Sequence, residues 1–283
     1  MSIAFFPYLC SRKSAQDVII KEIIAALERF APLPLQESYD NAGLQCGLTE
    51  TEVSGALLCL DVTEDVLCEA VELGCNLVVS HHPLLFHGLK QVADLTQVQR
   101  CTRLAIQNDL CVYSAHTNLD NAEDGVNFKM AEKLGLIDVQ FLAPRTVSLP
   151  DGNHVKAGSA VLGYLPEGED SLAFLQRVKQ FFGVEALQHN QLLKRPVQSV
   201  CICGGAGDFM LDAAIEAEAD AFLTGEMHYH VWFGHEQEVQ IAVLGHYESE
   251  QFTREILRSV IEKAAPMLPV YDTQVCTNPI HIL

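Results

Sequence analysis

Apolar residues recur along the chain with two alternating spacings. Over residues 17–31 they return every three or four positions, which predicts an amphipathic helix. Residues 55–62 and 75–80 are instead short, continuous apolar runs, which are typical of buried strands. Between these runs Thr63 can cap a helix with acidic residues in its first turn, and Gly74 can end that helix. The pattern therefore predicts a helix followed by a strand–helix–strand unit.

The same order continues to the C-terminus. Further strands are predicted at 110–115, 155–165, 197–203, 220–224 and 239–244, and further helices at 96–108, 171–182, 208–218, 229–237 and 249–264. We interpret residues 37–47 as a polar loop. Buried strands that alternate with helices indicate an α/β protein with largely parallel strand pairing.

A strand followed by a histidine and, four positions later, by a carboxylate occurs twice. The first copy ends in His116 and Asp120, and the second ends in His246 and Glu250. His116 and His246 are 130 positions apart, and so are Asp120 and Glu250. Because the offset is the same, we predict two similar α/β halves with a metal site between them. The first half would cover residues 17–140 and the second 141–283, divided where prolines and a glycine cluster at 141–153.

We interpret residues 1–16 as an N-terminal extension. Their basic residues, Arg12 and Lys13, follow the apolar stretch, whereas in a signal peptide they precede it. The longest stretch without a charged side chain, residues 73–89, contains three histidines and a proline. A membrane span of about 20 apolar residues would not, so we predict a soluble protein with no membrane partner.

Composition narrows the classes of partner. The chain has 18 Lys and Arg residues and 37 Asp and Glu residues, a net charge of −19 that argues against nucleic acid as a partner. Its ten cysteines are scattered, mostly in apolar segments, with no C-x-x-C pair. We interpret them as buried reduced thiols, which predicts a cytoplasmic location.

Five candidate metal ligands follow predicted strands, where parallel-sheet enzymes place their sites. Three imidazoles and two carboxylates without a thiolate suit zinc, iron or manganese, and this ligand set does not distinguish between the three metals. Five ligands are more than one tetrahedral ion with an open position requires, whereas two ions bridged by a carboxylate would use them all. These residues are His81, His82, Asp120, His246 and Glu250.

The local geometry of these candidates depends on the turns that hold them. His246 and Glu250 share one face if the turn after the strand is helical, but an extended turn would remove that argument. The adjacent His81 and His82 cannot point to one face of an extended strand, although they could serve two ions on either side of the turn.

Three further features have simpler interpretations. The glycine-rich segment 204–208 is read as a tight turn with Asp208 as a cap, since it lacks the spacing of a dinucleotide fingerprint. Asn41 and Gln45 either order their loop or face a substrate. The aromatic residues after the strand at 220–224 are read as helix core, with a subunit contact as the alternative: Tyr229, Trp232 and Phe233.

Five ordered motifs resemble those of a known family. The chain reads Tyr-Asp-Asn-Ala-Gly-Leu-Gln at 39–45, Ser-His-His-Pro at 80–83, Asn-Leu-Asp at 118–120, Thr-Gly-Glu at 224–226 and Gly-His-Tyr-Glu-Ser-Glu at 245–250. In this order they are similar to the motifs of the Nif-three-like family, often labelled GTP cyclohydrolase type-two homologues, and the resemblance covers about residues 18–283.

The resemblance implies two divalent metal ions per subunit, bound by His81, His82, Asp120, His246 and Glu250, and a homo-oligomer built as a hexameric ring or cage. The family's last ligand stands three or four positions after the histidine, so Glu250 is preferred and Glu248 is the alternative. The resemblance does not make His116 a ligand, and we expect it to hold Asp120 instead.

Two classes of function fit these features. The first is a metal-dependent hydrolase acting on a nucleotide-like or phosphorylated small molecule, with the ions activating water. The second is a non-catalytic metal-binding scaffold that delivers ions or docks on other proteins. A nucleic-acid-binding ring is disfavoured by the charge. No residue by itself indicates recognition of guanine, and no catalytic side chain is assigned.

Overall fold

The computed structural model describes residues 18–283, and the predicted N-terminal extension lies outside the described residues. The helices are α1 (Ile20–Phe30), α2 (Glu64–Glu72), α3 (Gln97–Gln107), α4 (Thr117–Asp120), α5 (Val126–Leu134), α6 (Ser171–Phe182), α7 (Leu211–Glu216), α8 (His246–Glu250) and α9 (Thr253–Ala264). The strands are β1 (Gly43–Cys46), β2 (Ala56–Cys59), β3 (Leu77–Ser80), β4 (Cys111–Ser114), β5 (Ile137–Leu142), β6 (Arg145–Ser148), β7 (His154–Ala157), β8 (Ala160–Glu169), β9 (Gln188–His189), β10 (Val197–Cys203), β11 (Ala221–Thr224), β12 (Gln240–Val243) and β13 (Val270–Asp272).

The first sheet has the order β1-β4-β3-β2-β13. Its four strands β4, β3, β2 and β13 are parallel, and β1 pairs antiparallel with β4. Ser80, the last residue of β3, pairs with Ser114, the last residue of β4. The two strands therefore end level, so that the residues following them, His81 and His116, leave the sheet at the same edge.

The second sheet has the order β5-β8-β10-β11-β12-β9. Only β10, β11 and β12 are parallel, while β5, β8 and β9 pair antiparallel. Thr224 at the end of β11 pairs with Val243 at the end of β12. The α/β class is confirmed, but largely parallel pairing is wrong for the outer strands; the connection from β5 to β8, for example, contains the strands β6 and β7 and no crossover helix, which a parallel pair would need.

Sequence patterns missed the short edge elements. The polar loop at 37–47 contains β1, and the predicted strand at 155–165 is divided into β7 and β8. The predicted helix at 229–237 is a single 3₁₀ turn, Tyr229–Trp232, followed by Gly234 with a φ of +90°. Tyr229 and Phe233 are 72% and 56% exposed, so their interpretation as helix core is wrong.

Helix α2 follows its local sequence signals. The Thr63 side-chain oxygen accepts a hydrogen bond from the Val66 N–H at 3.3 Å, which satisfies one of the free donors at the helix N-terminus. Gly74, with a φ of +70°, follows the end of the helix and turns the chain towards β3. Both predicted boundary residues therefore act as expected.

The last helix and strand pack against the first sheet. Ile256, Leu257 and Ile261 of α9 lie in one buried cluster with Ile20 and Ile23 of α1. Full burial of each such side chain contributes about 1.5–3 kcal/mol, so this cluster stabilises the return of the chain to the first sheet. The boundary between halves at residue 140 stays a prediction.

The described cysteines are all free, and six of them are buried. This arrangement fits their interpretation as small apolar side chains. Within residues 18–283, none of the helices combines the length and the apolar character that a membrane crossing requires.

Candidate metal centre

The five predicted ligands meet where the ends of the two sheets face each other. The His81 Nε2 atom lies 3.6 Å from Asp120 Oδ1 and 3.5 Å from Glu250 Oε1. The Glu250 Oε2 atom lies 2.9 Å from His82 Nε2 and 3.2 Å from His246 Nε2. Side chains separated by up to 169 positions (81 to 250) thus surround a single carboxylate.

Helix α8 presents His246 and Glu250 on one face, as the helical alternative requires. Glycines permit this placement. A Cβ at Gly225 would lie 2.6 Å from Ser249 Oγ, and a Cβ at Gly205 would collide with Glu250 Oε1. A side chain at either position would displace Glu250 or Ser249, so the two glycines let the strand ends approach α8 closely enough to bury Glu250, which is 3% exposed.

Each candidate histidine is fixed through its Nδ1 atom. The Nδ1 of His81 lies 2.8 Å from the Ala115 carbonyl oxygen. The Nδ1 of His82 lies 2.8 Å from Asp61 Oδ1, and that of His246 lies 3.0 Å from Glu226 Oε1. Carbonyl and carboxylate oxygens only accept hydrogen bonds, so each Nδ1 donates. A neutral ring held this way presents an Nε2 lone pair to the centre, the usual arrangement of a metal-binding histidine.

The donor atoms of the five candidates form two groups that share Glu250, and a third group joins His116 to His81 and His82. One group contains His82, His246 and Glu250, and the other contains His81, Asp120 and Glu250. Within each group the ligand atoms lie within 4.8 Å of one another. The two groups that share Glu250 thus lie on either side of one carboxylate, and each of them contains one of the adjacent histidines.

Three buried atoms at this point have no hydrogen-bond partner among the described residues: His81 Nε2, His82 Nε2 and Glu250 Oε2. His82 Nε2 and Glu250 Oε2 are close, but they do not form a hydrogen bond of good geometry. Buried polar atoms without partners are rare and call for an explanation such as a bound ion. The residues therefore fit a divalent cation.

The charges at the centre are strongly coupled. Burial alone lowers the pKa of His82, but Asp61 and Glu250 outweigh it and raise the pKa to about 10. The pKa of His246 rises to about 9 because Glu250 outweighs burial. Burial lowers the pKa of His81. Protonated imidazoles thus compensate the buried carboxylates in the absence of a cation.

The two carboxylates shift in opposite directions. Burial and the nearby charge of Glu250 raise the pKa of Asp120. Glu250 resists the same effect of burial because His81, His246 and His82 surround it and lower its pKa. A divalent cation would favour the charged form of both, so metal binding and proton release would be coupled.

His116 has a different partner from the one expected. Its Nδ1 lies 2.7 Å from Asp40 Oδ1 and makes no hydrogen bond to Asp120. Its ring centroid lies 5.3 Å from that of His81 and 5.4 Å from that of His82. Burial raises the pKa of Asp40, but hydrogen bonds from His116 and Thr117 outweigh it and lower the pKa to about 2. The buried Asp40 therefore orients His116.

The glycine-rich segment is a closed turn. Asp208 is not a cap, because its Oδ2 accepts hydrogen bonds from the His228 N–H at 2.9 Å and from His228 Nδ1 at 2.6 Å. Three N–H groups of the turn already donate to side-chain oxygens: Gly204 to Asn127, Gly205 to Ser249 and Gly207 to Thr224. They are not available to a phosphate group.

Asn41 and Gln45 order their loop. Asn41 Nδ2 donates to the Leu85 carbonyl at 2.7 Å, and the Leu85 N–H donates to Gln45 Oε1 at 2.9 Å. Gln45 also donates to the Asn41 carbonyl. Of the two alternatives, these contacts support loop ordering. They fix the loop that contains Asp40.

Sequence reasoning missed Asp61, Asp40 and Glu226 as partners of histidines. Asp61 and Glu226 each lie two residues beyond a strand, at the same sheet edges as the ligands. Asp40 and Glu226 also lie inside the family motifs at 39–45 and 224–226, but the sequence assigned them no role. Glu248, the alternative ligand, instead accepts a hydrogen bond from Asn278 Nδ2 at 2.7 Å.

Two clefts are lined by His246, and a third is lined by His82 and Asp61. The narrow cleft, of about 220 Å³, is lined by Tyr39, His116, Asp120, Phe209 and Glu250 among others. The wide cleft, of about 400 Å³, is lined by Asp208, Glu226, His228, Glu248 and Ile280 among others. Within residues 18–283, no lysine or arginine lines either of these two clefts.

The chain is similar to a set of bacterial proteins. A GTP cyclohydrolase 1 type 2 homolog from Clostridium acetobutylicum is 31% identical over 236 residues, which cover 82% of this chain and 85% of the relative. A protein of the same name from Streptomyces coelicolor is 33% identical over 211 residues, 75% of this chain and 73% of the relative.

Solved structures share the fold. A hypothetical protein from Staphylococcus aureus has a TM-score of 0.85 at 24% identity, covering 94% of this chain and 99% of its own. A Bacillus cereus protein related to NIF3 has a TM-score of 0.83 at 24% identity, covering 95% and 100%. The model of the family described as Duf34/NIF3 (NGG1p interacting factor 3) matches residues 18–279, which confirms the resemblance of the five motifs. This chain therefore belongs to the Duf34/NIF3 family.

Proposed function

We propose that this chain binds two divalent metal ions and hydrolyses a nucleotide-like or phosphorylated small molecule. The observation that carries the proposal is the set of buried atoms without partners, His81 Nε2, His82 Nε2 and Glu250 Oε2, which face one another. Removing the hydrogen-bond partner of a buried polar atom costs about 1–3 kcal/mol. Two cations, one on each side of Glu250, would satisfy all three atoms.

The ligands that we propose are the five predicted from the sequence. His82 and His246 would bind one ion, His81 and Asp120 the other, and Glu250 would bridge both. Nitrogen and oxygen donors without a thiolate suit zinc, iron or manganese. Such a pair of ions lowers the pKa of bound water and polarises a substrate oxygen.

The clefts supply positions for a substrate. Among the described residues neither cleft is lined by lysine or arginine, so the proposed ions and His246 would supply the positive charge for an anionic group there. Tyr39 and Phe209, both more than 60% exposed, form apolar walls of the narrow cleft. The ring of His116, which Asp40 holds by a hydrogen bond, lines the same cleft and lies beside His81 and His82.

Metal analysis and an activity screen test the proposal. Protein purified without chelators should contain about two ions per chain, and Glu250→Gln should lower that number because it removes the shared charge. Glu132→Gln is the matched control, since Glu132 is exposed and its only ion pair among the described residues is with Lys129. The screen should include phosphomonoesters, phosphodiesters and nucleotides, GTP among them because the relatives are named after it.

The outcomes separate the two classes of function. Turnover that follows metal content, and falls in Glu250→Gln but not in Glu132→Gln, supports the hydrolase. Metal-loaded protein without turnover above a metal-free control would favour the non-catalytic scaffold. Protein that binds no divalent ion would contradict both.

Homo-oligomerisation, as a hexameric ring in particular, and a cytoplasmic location stay predictions. Light scattering checks the first. A mass of 31.2 kDa, that of one chain, at every protein concentration would contradict it.

A further inference from the structure

The C-terminal segment, residues 273–283, crosses from one sheet to the other beside the metal centre. It follows β13, the edge strand of the first sheet, and contains no helix or strand. Its first residues are tied to α2, where Glu69 accepts hydrogen bonds from the Thr273 hydroxyl and from the Gln274 N–H. Its last residues, Ile280 and Ile282, line the wide cleft beside His246.

Thr277 stands behind one of the candidate ligands. Its hydroxyl donates to Asp61 Oδ2 at 2.7 Å, while Asp61 Oδ1 accepts from His82 Nδ1 at 2.8 Å. Among the described residues, Asp61 has no other side-chain hydrogen bond. The orientation of the Asp61 carboxylate, and with it that of the His82 ring, therefore depends on the Thr277 hydroxyl.

Asn278 holds the other side of the centre. Its Nδ2 donates to Glu248 Oε1 at 2.7 Å, and Glu248 lies in α8 between His246 and Glu250. Two consecutive residues of an otherwise irregular segment thus contact the supports of ligands that come from different sheets. A segment that served only to fill space would not need a polar contact to each side.

We infer that the C-terminal segment is a positioning element of the metal centre, in which Thr277 orients His82 through Asp61 and Asn278 holds α8. This inference rests on the proposed metal site. Partners one step behind a ligand typically change metal affinity by about 10- to 100-fold when they are removed. Thr277 acts two steps behind, so we expect the lower end of that range.

Zinc titration of the full chain tests the inference, with Zn²⁺ alone as the probe and a competing chromophoric chelator as the readout. Thr277→Val keeps the shape and removes the hydroxyl, and we expect it to weaken one Zn²⁺ site by about tenfold. Thr277→Ser restores the hydroxyl and should bind within about twofold of the wild type. Thr51→Val is the matched control, since Thr51 is exposed and, in the described structure, its hydroxyl makes no hydrogen bond.

A double-mutant cycle shows whether the effect passes through Asp61. Asp61→Ala should weaken the same site, and adding Thr277→Val to Asp61→Ala should weaken it no further. Additive losses would overturn the inference, as would a Thr277→Ser variant that binds as weakly as Thr277→Val. Wild-type Zn²⁺ affinity in Thr277→Val would overturn this inference and leave the proposed function standing. A wild-type protein that binds no Zn²⁺ would overturn both.

Discussion

Asp120→Asn should stabilise the metal-free protein and weaken metal binding. Asp120 Oδ1 and Glu250 Oε1 lie 3.6 and 3.5 Å from the same nitrogen, His81 Nε2, and the three ligand atoms lie within 4.8 Å of one another. Two unit charges at that separation repel by about 3 kcal/mol at an effective dielectric constant of roughly 20. Since the raised pKa of Asp120 lets a proton relieve part of this repulsion, we expect a gain of about 1–3 kcal/mol.

Thermal unfolding of chelator-treated and Zn²⁺-loaded protein measures both effects. In a domain of this size about 1 kcal/mol shifts the Tm by roughly 2–4 °C, so the metal-free variant should melt several degrees above the wild type. With Zn²⁺ the order should reverse, because each tenfold loss of affinity removes about 1.4 kcal/mol of stabilisation at saturating metal. Asp94→Asn is the control, since Asp94 is exposed and its carboxylate makes no hydrogen bond in the described structure.

Two results would refute this reasoning. A metal-free Asp120→Asn protein less stable than the wild type would show that the two carboxylates do not repel each other appreciably. Unchanged Zn²⁺ affinity in the variant would show that Asp120 is not a ligand. Stabilisation through loss of a functional charge is a common signature of a site built for a ligand rather than for stability.

Three further outcomes follow from the geometry. Gly205→Ala should abolish most Zn²⁺ binding, because the added Cβ collides with Glu250 Oε1. Gly183 has a similar φ but open space around it, so Gly183→Ala should keep full affinity when both variants are titrated with Zn²⁺. Asp40→Asn should lower the free energy of unfolding by about 2 kcal/mol above pH 4, because the fold depresses the pKa of Asp40 to about 2. The difference from the wild type should vanish as the pH falls from about 4 to 2 and the Asp40 carboxylate is protonated. Denaturant unfolding at a series of pH values measures it. Lys133→Ala should change stability by less than about 1 kcal/mol in the same assay, because its pair with Glu255 is partly exposed; a larger loss would contradict this.

The candidate ligands could be predicted because they obey a positional rule. Side chains just beyond parallel strands meet at one sheet edge, and His81, Asp120, His246 and Glu250 all follow strands. Their partners could not be predicted to the same degree. Asp61 and Glu226 occupy equivalent positions after strands, but nothing in a linear sequence says which carboxylate will turn towards which imidazole.

The fold shows the same limit. Long apolar runs such as β10 and the periodic segment of α1 were predicted, because burial alone determines their pattern. Strand β13 has three residues, and it is a strand only because it pairs with β2, which lies more than 200 positions earlier. The segment after β11 has aromatic residues at helical spacing, yet Gly234 and a surface location prevent a longer helix.

The anchored Nδ1 atoms also bear on how an ion enters the site. A free imidazole rotates about two bonds, and an ion that captures it must arrest that rotation at an entropic penalty. The rings of His81, His82 and His246 have already lost this freedom through bonds to a strand-end carbonyl and two carboxylates. Uptake of an ion should then proceed with little rearrangement of the chain, and a cage that cannot easily contract or expand would choose among ions by their size and preferred coordination geometry.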